Sequence, residues 1–221
     1  MKRTIAIIAC AAAMLLAGTA KAQLGVNIGY APVTYTSKVT VGNTTNTSSS
    51  DMNGFFAGFT YNYGFAKNFG VAFGLQGRFN FKKQTGGNDF VVVSANDKIK
   101  TTQILLDVPL LFNYSLPLGS KAKLSAFVGP TFSLAVYGNT HVTTTTTVLG
   151  SSSTSEKDYD MYGDDSENNR FDISAAFGLQ FQYDVFRLFG GYRIGLLDLD
   201  KRDNVKSTTS GIFVGLGYIL K

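Results

Sequence analysis

The last twelve residues of the chain read Ser210-Gly-Ile-Phe-Val-Gly-Leu-Gly-Tyr-Ile-Leu-Lys221 and carry no charge before the final lysine. Successive side chains of a strand point to opposite faces, so one face collects large apolar residues and the other is mostly glycine. Glycine is too small to pack the core of a soluble protein. One apolar face beside a nearly bare one is typical of a membrane β-barrel wall, with lipid outside and a crowded lumen inside. The last strand would then close the barrel by pairing with the first.

Seven further segments alternate in the same way, which gives eight predicted strands at residues 24–36, 53–63, 71–81, 100–115, 124–137, 171–183, 188–197 and 210–221. Their connections alternate in length. Long loops are expected at residues 37–52, 83–99, 138–170 and 198–209, and short turns at residues 64–70, 116–123 and 184–187. The sequence therefore predicts an all-β fold, an eight-stranded antiparallel up-and-down transmembrane β-barrel with short periplasmic turns and long extracellular loops.

Some of the long connections leave the strand count open. The Thr- and Ser-rich tracts 40–50 and 143–155, and residues 90–93, have strand propensity of their own. They could extend the strands beyond the membrane as hairpins, so a count of ten strands also stays open.

The N-terminus has the pattern of a secretory signal peptide over residues 1–22. Lys2 and Arg3 precede an apolar run, and residues 20–22 read Ala-Lys-Ala, a typical cleavage site. The apolar run is shorter than the roughly 20 residues that a membrane-spanning helix needs. A lipoprotein signal ending at Cys10 is the alternative. The barrel domain is then expected at residues 23–221.

Composition narrows the classes of function. The chain has 20 basic and 15 acidic residues, but the leader removes Lys2, Arg3 and Lys21, which leaves 17 against 15. No basic cluster survives, so a nucleic-acid partner is not expected. Cys10 is the only cysteine, which excludes disulfides, thiolate chemistry and cysteine-based metal sites from the mature chain. No cofactor is indicated.

The second face of the predicted strands is polar, which inverts the usual arrangement of a soluble barrel. It carries Gly, Ser, Thr, Gln and Asn with four isolated charges, namely Arg78, Asp107, Asp172 and Arg193. An eight-stranded barrel is only wide enough for its own side chains, so these charges should pair as a structural polar cluster in the lumen. A small channel and a secreted soluble lipocalin-like binder remain alternatives.

The aromatic residues suggest how the barrel meets the membrane interfaces. Membrane barrels carry aromatic girdles at both interfaces, and this chain has no Trp. Tyrosines near the predicted strand ends could supply both girdles: Tyr30, Tyr61, Tyr63, Tyr114, Tyr183, Tyr192 and Tyr218.

Several short motifs resemble those of a known family. They are Asp107-Val-Pro-Leu-Leu-Phe-Asn-Tyr114, Ala126-Phe-Val-Gly-Pro130, Gly190-Gly-Tyr-Arg-Ile-Gly-Leu-Leu-Asp198 and the terminal Gly-Leu-Gly-Tyr218. The chain resembles the PorT-like family of small outer-membrane β-barrels from Bacteroidetes. The resemblance covers the mature chain and implies an eight-stranded barrel in the outer membrane, whose members mostly lack an assigned activity. Such barrels commonly end in an aromatic residue that the barrel assembly machinery reads, whereas this chain ends Ile-Leu-Lys.

The sole histidine, His141, offers one catalytic alternative. Some outer-membrane barrels are lipid-modifying hydrolases that use a His with a Ser and a carboxylate. Ser133 and Asp172 could be neighbours, although no motif links them to His141. A surface histidine is the simpler interpretation.

The acidic part of the segment 138–170 resembles the start of a calcium-binding loop. Asp158, Asp160 and Asp164 are spaced as weak calcium ligands, but Tyr162 stands where an oxygen ligand is expected and Asn169 where the closing Glu belongs. We interpret the segment as a solvated surface loop, with no assigned metal site.

These observations favour an outer-membrane β-barrel of structural or surface-interaction type rather than an enzyme. The expected partners are outer-membrane lipid, the barrel assembly machinery during biogenesis, and an unknown extracellular or envelope partner. The long loops are where recognition would be expected. A small channel, a lipid-modifying enzyme and a soluble lipocalin-like binder are the alternatives.

Overall fold

The computed structural model describes residues 22–42, 44–89, 93–148, 151–163 and 166–220. Residues 1–21 of the expected signal peptide lie outside these ranges, and Ala22 is the first residue of the first strand. No helix in the described ranges is long and apolar enough to cross a membrane. The described residues form ten strands: β1 Ala22–Tyr30, β2 Val33–Val41, β3 Thr44–Gly64, β4 Phe69–Asp89, β5 Val93–Pro117, β6 Ala122–Val148, β7 Ser151–Asp160, β8 Phe171–Tyr183, β9 Phe186–Gly195 and β10 Val205–Ile219.

The first barrel strand consists of β1 and β2, which are separated only by Ala31 and Pro32. β1 pairs with the second half of β3 and β2 with its first half, so the two short strands continue one another. Proline has no backbone N–H to donate, which explains the break at this point. The neighbouring Ala31 N–H still donates to the Gly54 carbonyl, at 2.8 Å.

The strand pairings form a closed ring. Each barrel strand is antiparallel to the next in the order β1/β2, β3, β4, β5, β6, β8, β9 and β10, and β10 pairs back with both β1 and β2. The fold is therefore the predicted eight-stranded antiparallel barrel. β7 stands outside the ring and pairs with the far end of β6.

The barrel strands are strongly tilted. Residues that face one another around the ring form the series Ala22, Tyr63, Val71, Phe112, Val128, Phe177, Tyr192 and Ile212. Val214 faces Tyr30 and Ser210 faces Thr34, so Ile212 returns the series to the first barrel strand ten residues beyond Ala22. That stagger over eight strands corresponds to a tilt of about 40°, for spacings of about 3.3 Å along a strand and about 4.8 Å between strands.

Several strands are longer than the sequence indicated, because they continue past the barrel as hairpins. Residues 139–148 of β6 pair with β7, and residues 44–52 of β3 pair with β2. The hairpin expectation for residues 40–50 and 143–155 is thus confirmed for their described residues, and nine of the ten strands form the eight barrel strands. The interpretation of 138–170 as a surface loop is wrong for residues 138–148 and 151–160, which belong to β6 and β7. Residues 90–92, in the third expected hairpin, lie outside the described ranges.

The two faces of the barrel have the inverted polarity expected in lipid. Large apolar side chains such as Phe177 and Leu216 point outward and are about half exposed. The most deeply buried side chains are polar: Gln103, Asn80, Thr131, Asp107, Ser133 and Ser174. A soluble barrel would bury the apolar set and expose the polar one. The soluble lipocalin-like alternative is therefore wrong.

Phenylalanines inside the lumen lie over glycines of adjacent strands. A Cβ added at Gly215 would lie 2.5 Å from the Phe189 ring, and one at Gly178 would lie 2.7 Å from the Phe127 ring. Gly178 also approaches the backbone of β9, since its added Cβ would lie 2.2 Å from the Gly190 carbonyl oxygen. The small residues on the lumen face are therefore required by packing.

We predict that Gly178→Val destabilises the barrel, whereas the matched change Gly77→Val on the lipid face does not. An added Cβ at Gly77 meets only the Ala57 carbonyl oxygen, at 4.0 Å. Overpacking of a tight site costs about 1–3 kcal/mol. Urea titration in micelles measures the loss of stability. The folded fraction is read from the difference in gel migration between unboiled and boiled samples. Equal stability of the two variants would contradict the packing argument.

Candidate functional site

Three charged side chains meet inside the lumen and obstruct it. Asp107 of β5 is fully buried, and its Oδ2 lies 3.0 Å from Arg78 Nε of β4 and 3.0 Å from Arg193 Nη1 of β9. Arg78 Nη2 also donates to Asp107 Oδ1, at 3.3 Å. Arg78 Nε lies at ion-pair distance without hydrogen-bond geometry. One carboxylate therefore holds two guanidinium groups that come from opposite sides of the barrel.

Asp172, the fourth predicted member of the cluster, lies beside these three rather than among them. It is on β8, and its Oδ2 accepts a hydrogen bond from Thr209 Oγ1 at 2.9 Å. Asp172, Arg78, Arg193 and Thr209 all line one void of about 10 Å³. A void of that size holds about one water molecule. Arg78 and Arg193 thus bind Asp107 and also line the void beside Asp172, so the four predicted charges lie in one part of the lumen.

A second polar contact closes the extracellular mouth of the barrel, and the sequence analysis did not identify it. Tyr35 Oη donates to Gln103 Oε1 at 2.8 Å, and Gln103 Nε2 donates to Tyr162 Oη at 3.3 Å. Tyr162 follows β7 in the chain, so the turn after the hairpin lies over the lumen. Burial raises the pKa of the Tyr162 hydroxyl. The sequence contains no local signal for this contact, since it joins residues 59 to 68 positions apart.

Below the charged cluster the lumen widens into a cavity of about 960 Å³ near the short turns. Arg193 and Phe213 line its upper end, and the turns around Lys67 and Lys121 line its lower end. The lumen is therefore divided. A polar barrier above separates the outside from a cavity below.

His141 lies on the extracellular hairpin, away from the lumen. Its Nδ1 is 2.8 Å from Asp158 Oδ1, and its Nε2 is 3.2 Å from Thr143 Oγ1. The hydrogen bond with His141 lowers the pKa of the Asp158 carboxyl. Ser133 is eight residues earlier in β6, or about 26 Å at about 3.3 Å per residue, although it does face Asp172 across the β6–β8 pair. The proposed hydrolase trio is therefore not assembled.

The candidate calcium ligands are separately engaged. Asp158 accepts from Asn139 as well as contacting His141, and Asp160 Oδ1 accepts from the Tyr162 N–H at 2.8 Å. Asp164 lies outside the described residues. Within the described ranges, no group of three His, Cys, Asp or Glu residues is placed to hold a metal ion.

The predicted girdle tyrosines lie at two levels of the outer surface. Five of them, Tyr61, Tyr63, Tyr114, Tyr183 and Tyr218, lie near the short-turn ends of their strands. Tyr30 and Tyr192 lie further toward the extracellular side. At both levels a tyrosine contacts another aromatic ring, with ring centroids 5.6 Å apart for Phe186–Tyr218 and 5.3 Å apart for Tyr30–Phe55.

We predict that Asp107→Asn lowers the free energy of unfolding by about 3–5 kcal/mol, because it removes the charge of the carboxylate that two buried guanidinium groups share. Asp203→Asn, on the exposed 198–204 connection, should have no measurable effect. Adding Arg193→Gln to Asp107→Asn should recover part of the loss. Urea unfolding in micelles measures the stability of all three variants. An Asp107→Asn protein as stable as the unaltered protein would contradict the pairing.

Three solved structures are similar to the chain at low identity. The attachment invasion locus protein Ail of Yersinia pestis is 18% identical, over 90% of this chain and 98% of that chain, with a TM-score of 0.34. Neisserial surface protein A is 14% identical, over 87% of this chain and 96% of that chain, with a TM-score of 0.36. The N-terminal β-barrel domain of Pseudomonas aeruginosa OprF is 11% identical, over 90% and 100%, with a TM-score of 0.29. No curated protein matches the chain.

The profile of a family described as "Outer membrane protein beta-barrel domain" matches residues 16–201. The match spans β1 to β9, which include both arginines and the aspartate of the central ion pair. It agrees with the closed ring of strands and the lipid-facing apolar surface. This protein is thus an outer-membrane protein, and its chain belongs to the outer membrane protein β-barrel domain family.

Proposed function

We propose that this protein is a surface-interaction barrel that recognises an extracellular or envelope partner through its projecting hairpins, and that it is not an enzyme. The observation that carries the proposal is the sheet formed by the outer ends of β4, β5 and β6 together with β7. Such an extension is not needed to cross a membrane. It adds a folded, solvent-exposed surface above the barrel.

The composition of this sheet suits recognition rather than core formation. All ten residues of β7 are exposed, and most of its pairs with β6 are polar, such as Thr145–Thr154 at 3.3 Å and Thr147–Ser152 at 2.9 Å. Polar cross-strand pairs stabilise a hairpin without an apolar core. The side chains are therefore available to a partner on both faces of the sheet.

The outer edge of β7 supports a specific mode of recognition. Within the described residues β7 pairs only with β6, so its other edge presents free backbone N–H and C=O groups. An extended segment of a partner can add to such an edge as a further strand. Glu156, Lys157 and Asp158 place charges on this strand, and charged edges disfavour uncontrolled self-pairing.

We also propose a family for this barrel and a route by which it reaches the outer membrane. The quoted motifs support a PorT-like barrel of Bacteroidetes, and residues 1–22 support export through a cleaved leader. The barrel assembly machinery would insert the exported chain, with the tyrosines as interface anchors. Outer-membrane lipid surrounds the barrel.

We predict that a photo-crosslinking residue at Ser153, on the free edge of β7, captures one discrete protein on intact cells. The same residue at lipid-facing Leu216 is the control and should give no protein adduct. Replacing residues 142–157 by Asn-Gly, with the crosslinker at Asp160, should abolish capture while the barrel keeps its heat-dependent gel shift. Equal capture by the shortened hairpin would remove β7 as the recognition element.

We also predict no stepwise conductance in planar bilayers, because the Asp107 ion pairs and the Gln103 contacts obstruct the lumen. The purified barrel is compared with a conducting porin in the same bilayers. Steady channels that respond to Asp107→Asn would favour the channel alternative instead.

A further inference from the structure

The cavity in the lower lumen has the form of a binding pocket. Its volume of about 960 Å³ falls near the upper end of the range of about 300–1,000 Å³ that is usual for small-molecule sites. The charged cluster lies above it and the short turns surround its lower end. It is a blind pocket open toward the periplasm, on the opposite side from the hairpins.

Arg187 of β9 is the unusual charge in this pocket. The residue is only 4% exposed, and its Nη2 donates to Asn27 Oδ1 at 3.2 Å and to Thr60 Oγ1 at 3.1 Å. Both acceptors are neutral, and Arg187 Nε has no hydrogen-bond partner. Arg187 forms no ion pair with any residue in the described ranges, in contrast to Arg78 and Arg193, which share Asp107.

The barrel wall is shaped to hold this guanidinium. A Cβ added at Gly25 would lie 2.0 Å from Arg187 Nη2, and one at Gly217 would lie 3.1 Å from Arg187 Nε. Two glycines therefore make room for a cation laid against the wall. Burying a charge without a counter-charge is costly, so the arrangement is best explained by an anion supplied from outside the chain.

The remaining charges around the pocket are mostly of the same sign. Lys67, Lys121 and Lys123 line it together with Arg187. Asp184 is the one carboxylate among the described residues of the lining. An anion that enters from the periplasm therefore meets a net positive rim before it reaches Arg187.

Part of the wall above Arg187 is aromatic. Phe56, Phe127, Phe189 and Phe213 line this part of the cavity, and they form two pairs with ring centroids 6.1 Å apart. Phe189 is two residues beyond Arg187 on the same face of β9. A cation therefore lies directly beside an aromatic layer.

We propose that this pocket binds an organic anion from the periplasmic side. The carboxylate or phosphate of the ligand pairs with Arg187, and its apolar body lies against the phenylalanine layer. A planar guanidinium suits both kinds of oxyanion. The same chemistry is offered by a free metabolite and by an anionic lipid that reaches the pocket from the inner leaflet.

Calorimetry on the full barrel in phosphatidylcholine nanodiscs tests the pocket, with 4-phenylbutyrate as the probe, its neutral amide as the matched control ligand, and empty nanodiscs as the blank. The carboxylate should bind saturably, and the amide at least tenfold more weakly. Arg187→Gln should weaken binding of the carboxylate at least tenfold, whereas Arg202→Gln, on the extracellular side, should leave it unchanged.

Equal binding of the acid and the amide, or binding unaffected by Arg187→Gln, would overturn the proposal. The gel shift on boiling verifies that each variant is folded. If Arg187→Gln fails to fold, the comparison of acid and amide on the unaltered protein still tests whether the pocket requires an anion. Nanodiscs that contain phosphatidylglycerol identify the source of the anion. Competition with the probe supports a lipid ligand, and unchanged probe binding supports a soluble one.

Discussion

The closed ring of backbone hydrogen bonds is the constraint on which the rest of this structure depends. An unpaired N–H or C=O in hydrocarbon costs several kcal/mol, so a sheet that crosses a membrane must have no open edge. β10 meets this requirement by pairing with β9 on one side and with β1 and β2 on the other. The first barrel strand is interrupted at Pro32, a residue that has no N–H to leave unpaired.

Closing eight strands leaves a narrow lumen, and polar groups inside it must satisfy one another. Asp107 binds two arginines and Gln103 binds two tyrosines, so both closures use one short side chain to join distant strands. Phenylalanines fill the space between these closures and the turns by lying over glycines. Arg187 departs from this pattern because its acceptors are neutral.

Much of the barrel could be predicted from the sequence, because strand alternation is a local, two-residue pattern. β8 begins and ends at the predicted residues, and the side chains of all four predicted lumen charges are largely buried inside the barrel. The hairpin extensions were harder to delimit, since Thr and Ser tracts are polar on both faces. Which charges meet depends on the stagger of the ring, which no single strand encodes. Arg187 was missed because the predicted seventh strand began one residue later, at Leu188.

The two ends of the lumen are unequal in a way that bears on function. The extracellular end is closed by Tyr162 and continues into a polar sheet, whereas the periplasmic end holds a pocket with a cation and an aromatic layer. Because the Asp107 cluster lies between them, a ligand in the pocket does not have a direct path to the hairpins. Arg193 lines the pocket and also binds Asp107. Any influence of a bound anion on the extracellular surface would therefore have to pass through the barrel strands or through this ion pair.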